Sequence, residues 1–497
     1  MSENAYLCTS QSERSMNEPF VARERECAEL QRCLESHRSE FVVVYGRRRV
    51  GKTYLIENFF KDRYAFKFVG TRGAKTRVQL ANFAQVLSQN SGEERRQLRD
   101  WADAFYALQR YLEHLPADGK KVVFFDEMPW IDTQRSDFVR SLEYFWNSWA
   151  VSQRDILFIA TGSATSWMTE KLVANKGGLH GRITRRLHVA PFTLGEVENY
   201  LRQLDCKWDR LQILQSYMLL GGVPFYYSLI EPQDSLAQNI DNLFFHEDGA
   251  LRTEFNELYH ALFKNADLYL AVAKLLCNHK EGLTHKEIAK GIGCDGGKLT
   301  VVLKNMERCD FLERWNQYGN TKRGSLYRMV DFFTKFYYTF VENNNFKDSR
   351  WWSNNMREPS VSSWMGHTFE LVCMQHHQQI KERLHIDTIG TAISSWRQTA
   401  DRTSGQEGAQ IDMIIERADR IIHLCEMKYS ISQYTITDKY EETVRNRAAI
   451  FQAATATTKA VVHTFVTTFG VKDGKHKSIV HSEVTMDDLF TQTAYTQ

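Results

Sequence analysis

Residues 41–60, FVVVYGRRRVGKTYLIENFF, constrain this chain more than any other stretch. Phe41, Val42, Val43 and Val44 form an apolar, β-branched run of the kind that is buried as a strand. The run breaks at Gly46, and Leu55, Ile56 and Phe59 resume with helical spacing. Strand, GRRRVGKT and helix together make a Walker A loop in the setting it needs. Gly46 and Gly51 let backbone N–H groups close around phosphate oxygens, while the helix that starts near Lys52 turns its positive end on the same anion. Gly46, Arg47, Arg48, Arg49, Val50, Gly51, Lys52 and Thr53 are therefore candidate nucleotide-binding residues. Lys52 is expected to reach the β/γ-phosphates, and the Thr53 hydroxyl to sit on Mg²⁺. ATP and Mg²⁺ are the expected cofactors.

The rest of the chain is large enough for more than this one unit. At 497 residues, and with about 150 residues per domain, about three domains are expected. Apolar content of 43% and charged content of 25% are those of an ordinary globular protein. A net charge of +2 gives no general nucleic-acid or membrane signal, so binding of that kind needs a local patch. The nine cysteines are scattered and never spaced as CxxC, which predicts neither a disulfide framework nor a zinc site and fits a cytoplasmic location. Residues 1–19 are polar, without the apolar core of a signal peptide, and read as a disordered lead-in; no stretch approaches a membrane span.

Taken in order, residues 20–36 (FVARERECAELQRCLES) predict a helix with Cys27, Leu30 and Leu34 on one face. Two readings of its entry turn stay open, packing and proximity to the adenine. YAFKFVG (64–70) predicts a second strand, and residues 77–115 predict helices broken by NSGEERRQ. KKVVFFDEMPWID then supplies an apolar strand ending in Asp126 and Glu127, a Walker B pair. Asp126 is placed to hold the Mg²⁺ shell, and Glu127 to orient or deprotonate the attacking water. DILFIATGSATSWM (155–168) is a further buried strand whose end brings Thr161 and Ser163, candidates for contact with the γ-phosphate or the water. Arg182, before another strand, is a candidate arginine finger if the protein forms a homo-oligomer, and otherwise a solvated loop residue.

FVARERE, GRRRVGKT, VVFFDEMPW, ATGSATSWM, LHGRIT and LLGGVPFYY occur in an order that resembles the prokaryotic ATPases of the AAA+/STAND type, over nearly the whole chain after residue 20. That resemblance implies a P-loop α/β ATPase domain over 20–195 and a helical lid over 196–265 that carries GGVPFYY. Residues 266–345 add three short helices, a polar turn between strand-like segments, and an aromatic packing helix, a pattern that reads as a winged helix-turn-helix. Its helix is nearly charge-balanced, so Lys322, Arg323 and Arg328 of the wing are the basic residues available to DNA. DNA binding and an interdomain role both remain open there. The aromatic run DFFTKFYYTFVENNNF is expected to be a core helix packed on the winged helix.

Residues 346–497 hold a second chemical signal. SSWMGHTFELVCMQHH is an amphipathic helix carrying Glu370, QIDMIIER a strand carrying Asp412, and IIHLCEMKYS a strand with Glu426 and Lys428 on one face. An acid inside an apolar strand is costly unless it meets a metal or another cation. The order Glu, Asp, Glu-x-Lys resembles the PD-(D/E)xK nuclease superfamily. That resemblance implies Asp412 and Glu426 as metal ligands, Lys428 as the water-positioning group and Glu370 as an accessory acid. The expected fold is α/β throughout: a P-loop ATPase sheet with helical lid, a winged helix, and a C-terminal α/β domain like that of restriction endonucleases. Two functions follow: an ATPase switch coupled to a Mg-dependent nuclease on DNA, or a STAND-type signalling ATPase with a non-catalytic C-terminal binding module.

Overall fold

The computed structural model describes residues 20–116, 118–173, 178–179, 181–263, 265–319, 324–400 and 408–492. The expected lead-in over 1–19, and Lys322 and Arg323 of the wing, lie outside the described residues. The chain divides into two compact units, Phe20–Ala190 and the residues from Pro191 onward.

In the first unit, strands β1 (Glu40–Tyr45), β2 (Phe66–Val69), β3 (Lys121–Asp126), β4 (Ile156–Gly162) and β5 (Arg185–His188) form one sheet in the order β2-β3-β4-β1-β5. All four pairings are parallel. Both faces are covered, which is why β1 reads as an unbroken apolar run rather than an alternation. Phe41 and Val43 join a cluster with Phe66, Phe68, Trp101 and Phe158, while Val42 and Val44 join Leu30, Cys33, Leu55 and Ile56 on the other face. Trimming one such ring, as in Phe41→Ala, is expected to cost about 3–5 kcal/mol. The first helix is Glu24–Glu35; it buries Leu30 and Cys33, whereas the expected Leu34 and Cys27 are packed only in part.

The second unit starts with helices Leu194–Gln203, Arg210–Leu220, Pro224–Ser228, Leu236–Ile240 and Glu254–Leu262. Gly221 ends the second of these and Pro224 opens the third, as GGVPFYY predicts. Next come helices Ala266–Cys277, His285–Ile292 and Gly296–Arg308 with β6 (Leu283–Thr284), β7 (Leu312–Trp315) and β8 (Leu326–Met329), an antiparallel sheet in the order β6-β8-β7. The aromatic run is a core helix, Phe332–Phe336 with a π turn over Tyr337–Val341. Its rings meet Tyr217, Tyr226, Phe244 and Phe255 of the preceding helices, so its packing partners lie mainly outside the expected winged helix.

The last part is a mixed sheet of β9 (Thr391–Gln398), β10 (Ala409–Arg417), β11 (Ile421–Lys428), β12 (Ala460–Thr467) and β13 (Ser482–Thr485), in the order β13-β12-β11-β10-β9. β9, β10 and β11 run antiparallel. The helix Asp438–Thr455 then carries the chain to β12, which is parallel to β11. A bulge in β10 between Ile411 and Ile414 turns both side chains into one core with Trp396, Leu424 and Phe451.

Candidate functional site

The loop that follows β1 closes because two of its residues lack a side chain. At Gly46 a Cβ would sit 2.3 Å from the Val189 carbonyl oxygen, and Gly51, at φ +85°, takes the left-handed conformation that opens the helix Lys52–Phe60. Lys52 is buried, and its Nζ donates to the carbonyls of Gly46 (3.0 Å) and Arg47 (2.8 Å), bending back over its own loop. Arg47 and Val50 are buried; Arg48 and Arg49 are half-buried. Arg23 Nη2 donates to the Val50 carbonyl at 3.1 Å, and the Phe20 ring lies 6.1 Å from that of Tyr54. The structure thus packs the FVARE turn against the phosphate loop.

β4 lies between β1 and β3, so its C-terminal end meets the acidic pair at the end of β3. Thr161 Oγ1 donates to Asp126 Oδ1, and Thr53 Oγ1 lies 3.1 and 3.0 Å from the two Asp126 oxygens. Glu127, left-handed at φ 47°, has its Oε2 held by the Ser163 backbone N–H (3.1 Å) and hydroxyl (3.0 Å). Thr161 and Ser163, the expected phosphate or water contacts, are bonded to the two carboxylates. Thr53 Oγ1 and the Asp126 carboxylate form a compact set of hard oxygen donors that fits Mg²⁺. Arg182 is exposed in the turn before β5, where its backbone N–H bonds to the Leu179 carbonyl.

The second set of acids is held differently. Continuing the β10–β11 register of Met413 opposite Cys425 sets Asp412 across from Glu426. Glu426 is 4% exposed; its Oε1 accepts from Arg447 Nη1 and its Oε2 from the Tyr440 hydroxyl, each at 2.6 Å. Lys428 Nζ stands 5.1 Å from the centre of the Tyr440 ring. Burial, then the Glu426 carboxylate, push the Tyr440 phenol well above its usual value and keep it a donor. Asp412 Oδ1 accepts from Arg328 Nη2 at 3.2 Å and from Gln410 Nε2 at 2.8 Å.

Two expectations need correction here. Arg328, expected as an exposed basic residue of the wing, is 3% exposed and spent on Asp412, because the strand that carries it is packed inward. The expected metal group of Glu370, Asp412 and Glu426 is not assembled: among the described residues no three acid, histidine or cysteine side chains form a group that could hold a metal ion. Glu370 has His367 as its ion-pair neighbour at 3.7 Å, and its helix, Pro359–Gln375, packs on the Cys425 face of β11. Glu426 takes its partners from the opposite face, on the helix Asp438–Thr455.

Residues 20–228 match a family described as an ATPase domain predominantly from Archaea. This region is a P-loop ATPase domain. An uncharacterised protein of Methanocaldococcus jannaschii is 26% identical to the chain over 329 residues, 65% of this chain and 69% of that protein. An uncharacterised ATP-binding protein of the same organism is 41% identical over 44 residues, 9% of this chain and 75% of that protein. Among solved structures, the Walker-type ATPase of Pyrococcus abyssi is similar at 18% identity and TM-score 0.48, over 64% of this chain and 96% of that one. The ORC2 protein of Aeropyrum pernix follows at 15% identity and TM-score 0.40, over 63% and 91%. No helix among the described residues is long and apolar enough to cross a membrane.

Outside the ATPase domain, sequence reasoning missed Tyr440 and Arg447. They lie seven residues apart, two helical turns and hence one face, on the helix that crosses over from the Glu-x-Lys strand. That spacing was the available signal.

Proposed function

We propose that the chain is a gated ATPase that works as a nucleotide switch on its C-terminal domain, which we read as a module of the PD-(D/E)xK plan acting on DNA. The observation that carries the gating is the hold of Ser163 on Glu127. Lys52 binds the β/γ-phosphates, Thr53 and Asp126 hold Mg²⁺, and Glu127 accepts the proton of the attacking water once it leaves Ser163. Mg²⁺ supplies charge neutralisation at the transferred phosphoryl group. Arg182 serves as a finger to a neighbouring copy if the protein forms a homo-oligomer. Residues 196–265 are read as the lid and 266–345 as a winged helix, whose helix Gly296–Arg308 leaves Lys298 and Lys304 exposed.

The reading of the C-terminal module is supported by its order of elements: a helix, a three-stranded antiparallel meander, a crossover helix and a parallel strand. It is supported as well by the convergence of Glu426 and Lys428 on Tyr440. A second reading, a module that binds without cleaving, is favoured by the arginines already seated on Asp412 and Glu426.

ATP binding and turnover test the switch. Lys52→Ala is expected to lose binding, and Glu127→Gln to retain ATP without hydrolysing it; unchanged turnover in both variants overturns the assignment. Cleavage of DNA with Mg²⁺ or Mn²⁺, in both nucleotide states and lost in Lys428→Ala, separates the nuclease from the binding module.

A further inference from the structure

The turn that carries Glu127 is gripped from both flanks. Asp126 closes β3, and Glu127 leads into a four-residue helix, Met128–Ile131. Glu127 itself is left-handed, at φ 47° and ψ 46°, a conformation that a residue with a Cβ holds only where its surroundings impose it. On the β4 side the grip is on its carboxylate, through Ser163. On the β2 side the grip is on the backbone, and its centre is Gln79. This residue lies on the helix Thr76–Ser91 and is 0% exposed. Its Nε2 donates to the carbonyls of Trp130 (2.9 Å) and Thr71 (2.7 Å), and its Oε1 accepts from the Thr71 N–H at 3.2 Å. One side chain thus ties the turn after β2 to the helix after Glu127. Beside it the Gly70 N–H donates to the Asp126 carbonyl at 2.9 Å.

We propose that Gln79 is a positioning residue for ATP hydrolysis: it fixes the backbone of the Glu127 turn, so that the carboxylate, once it leaves Ser163, arrives at the attacking water. The inference rests on reading Glu127 as the base.

A helix of four residues cannot satisfy its own carbonyls, so its orientation depends on donors from elsewhere. In Met128–Ile131 the Met128 carbonyl takes a long bond from the Asp132 N–H at 3.4 Å, and the Trp130 carbonyl takes the Gln79 amide. Met128 and Ile131 are both 0% exposed and anchor the helix in the core. Apolar contact is non-directional, however, and leaves the helix free to rotate by small amounts. An amide bonded to Trp130 on one side and twice to Thr71 on the other removes that freedom. A hydroxyl or a carboxylate could not take its place, because the set needs two donors and an acceptor on one planar group. The two grips also differ in when they act. The Ser163 bonds are given up when Glu127 turns to the water, whereas the Gln79 bonds lie on the backbone and persist through that swing. Loss of the Ser163 hydroxyl therefore frees the carboxylate, and loss of the Gln79 amide misplaces it. Misplacing a reacting group by about 1 Å costs on the order of 10²-fold in rate.

The test uses the full chain, with equilibrium binding of ATP and single-turnover hydrolysis measured on the same samples. Gln79→Met keeps the volume and removes every bond. Gln79→Glu keeps the length and the acceptor for the Thr71 N–H but removes both donors, and serves as the second variant should the first fold poorly. In each, hydrolysis is expected to slow by roughly thirtyfold or more, while ATP affinity stays within about threefold of wild type. The decisive comparison is made in a Glu127→Gln background. There Gln79→Met is expected to lower the residual rate no further, because a turn without its base has nothing left to position. Effects that multiply in the double variant overturn the proposal, and so does loss of ATP binding in step with hydrolysis in both Gln79 variants, which would make the residue structural. Failure of the underlying reading looks different. Glu127→Gln turning over at the wild-type rate removes the base itself, whereas slow Glu127→Gln beside wild-type rates in both Gln79 variants keeps the base and removes the role of Gln79.

Discussion

The P-loop site and the C-terminal acid site each hold two carboxylates, the first pair at the end of β3 and the second within β10 and β11, and the two pairs differ in whether a cation reaches them. Asp126 and Glu127 are held by Thr53, Thr161 and Ser163, all neutral hydroxyl donors. Asp412 and Glu426 have Gln410 and the Tyr440 hydroxyl as neutral donors, but each also carries an arginine, Arg328 and Arg447. A hydroxyl positions a carboxylate without cancelling its charge, so the first pair keeps its attraction for a cation. A guanidinium cancels the charge and also fills the space. The first pair therefore stays charged within the fold, and the second is neutralised within it.

The comparison breaks most visibly at Glu127. Glu127→Gln keeps the Ser163 contacts but removes the base, and ATP turnover is expected to fall by about two to four orders of magnitude while bound ATP persists. Single-turnover hydrolysis checks it, and a loss of less than about tenfold would move the base elsewhere.

The next largest effect belongs to the cationic side. Arg447→Met leaves Glu426 buried without a counter-charge and is expected to destabilise the second unit by about 3–5 kcal/mol, whereas adding Glu426→Gln restores most of that loss. Urea unfolding followed on both variants measures it. Equal loss in the single and double variants would mean that Arg447 acts through packing alone.

Acid acts on the second unit through a group of another kind. His376 is 1% exposed; its Nε2 accepts from the Leu194 N–H at 3.0 Å and its Nδ1 faces the Val372 carbonyl at 2.8 Å. Burial lowers it from 6.5 to about 4, so the folded state binds fewer protons than the unfolded chain between those values. Stability is therefore full above pH 6.5 and falls as the pH drops toward 4, by on the order of 3 kcal/mol. His376→Gln should flatten that slope in the pH dependence of unfolding.

The smallest effect sharpens the neutral side. Ser163→Ala removes one of the two bonds on Glu127 Oε2 and leaves the backbone one. A hydrogen bond to a charged group predicts a rise in basal ATP hydrolysis of roughly tenfold if Ser163 restrains Glu127. A fall would show that Ser163 positions the base for reaction.

What could be read from the chain without coordinates was contiguous. Phe41–Val44, GRRRVGKT and the helix after it form one local unit, and VVFFDE another, so strand, loop and helix follow from residues a few positions apart. Pairing was not legible in this way. That Thr161 meets Asp126 depends on β4 entering the sheet between β1 and β3, an order that no local pattern encodes. That Arg328 is spent on Asp412 depends on a contact between residues 84 apart in sequence. Composition marks Arg328 only as basic, and whether it is offered to solvent or buried is decided by which face of β8 packs inward. The sequence by itself therefore determined the acid-bearing strands and the phosphate loop, because short-range sterics and hydrophobic periodicity specify them. Tertiary structure alone decided which groups neutralise those acids, because a buried carboxylate takes whatever donor the packing of distant segments brings to it.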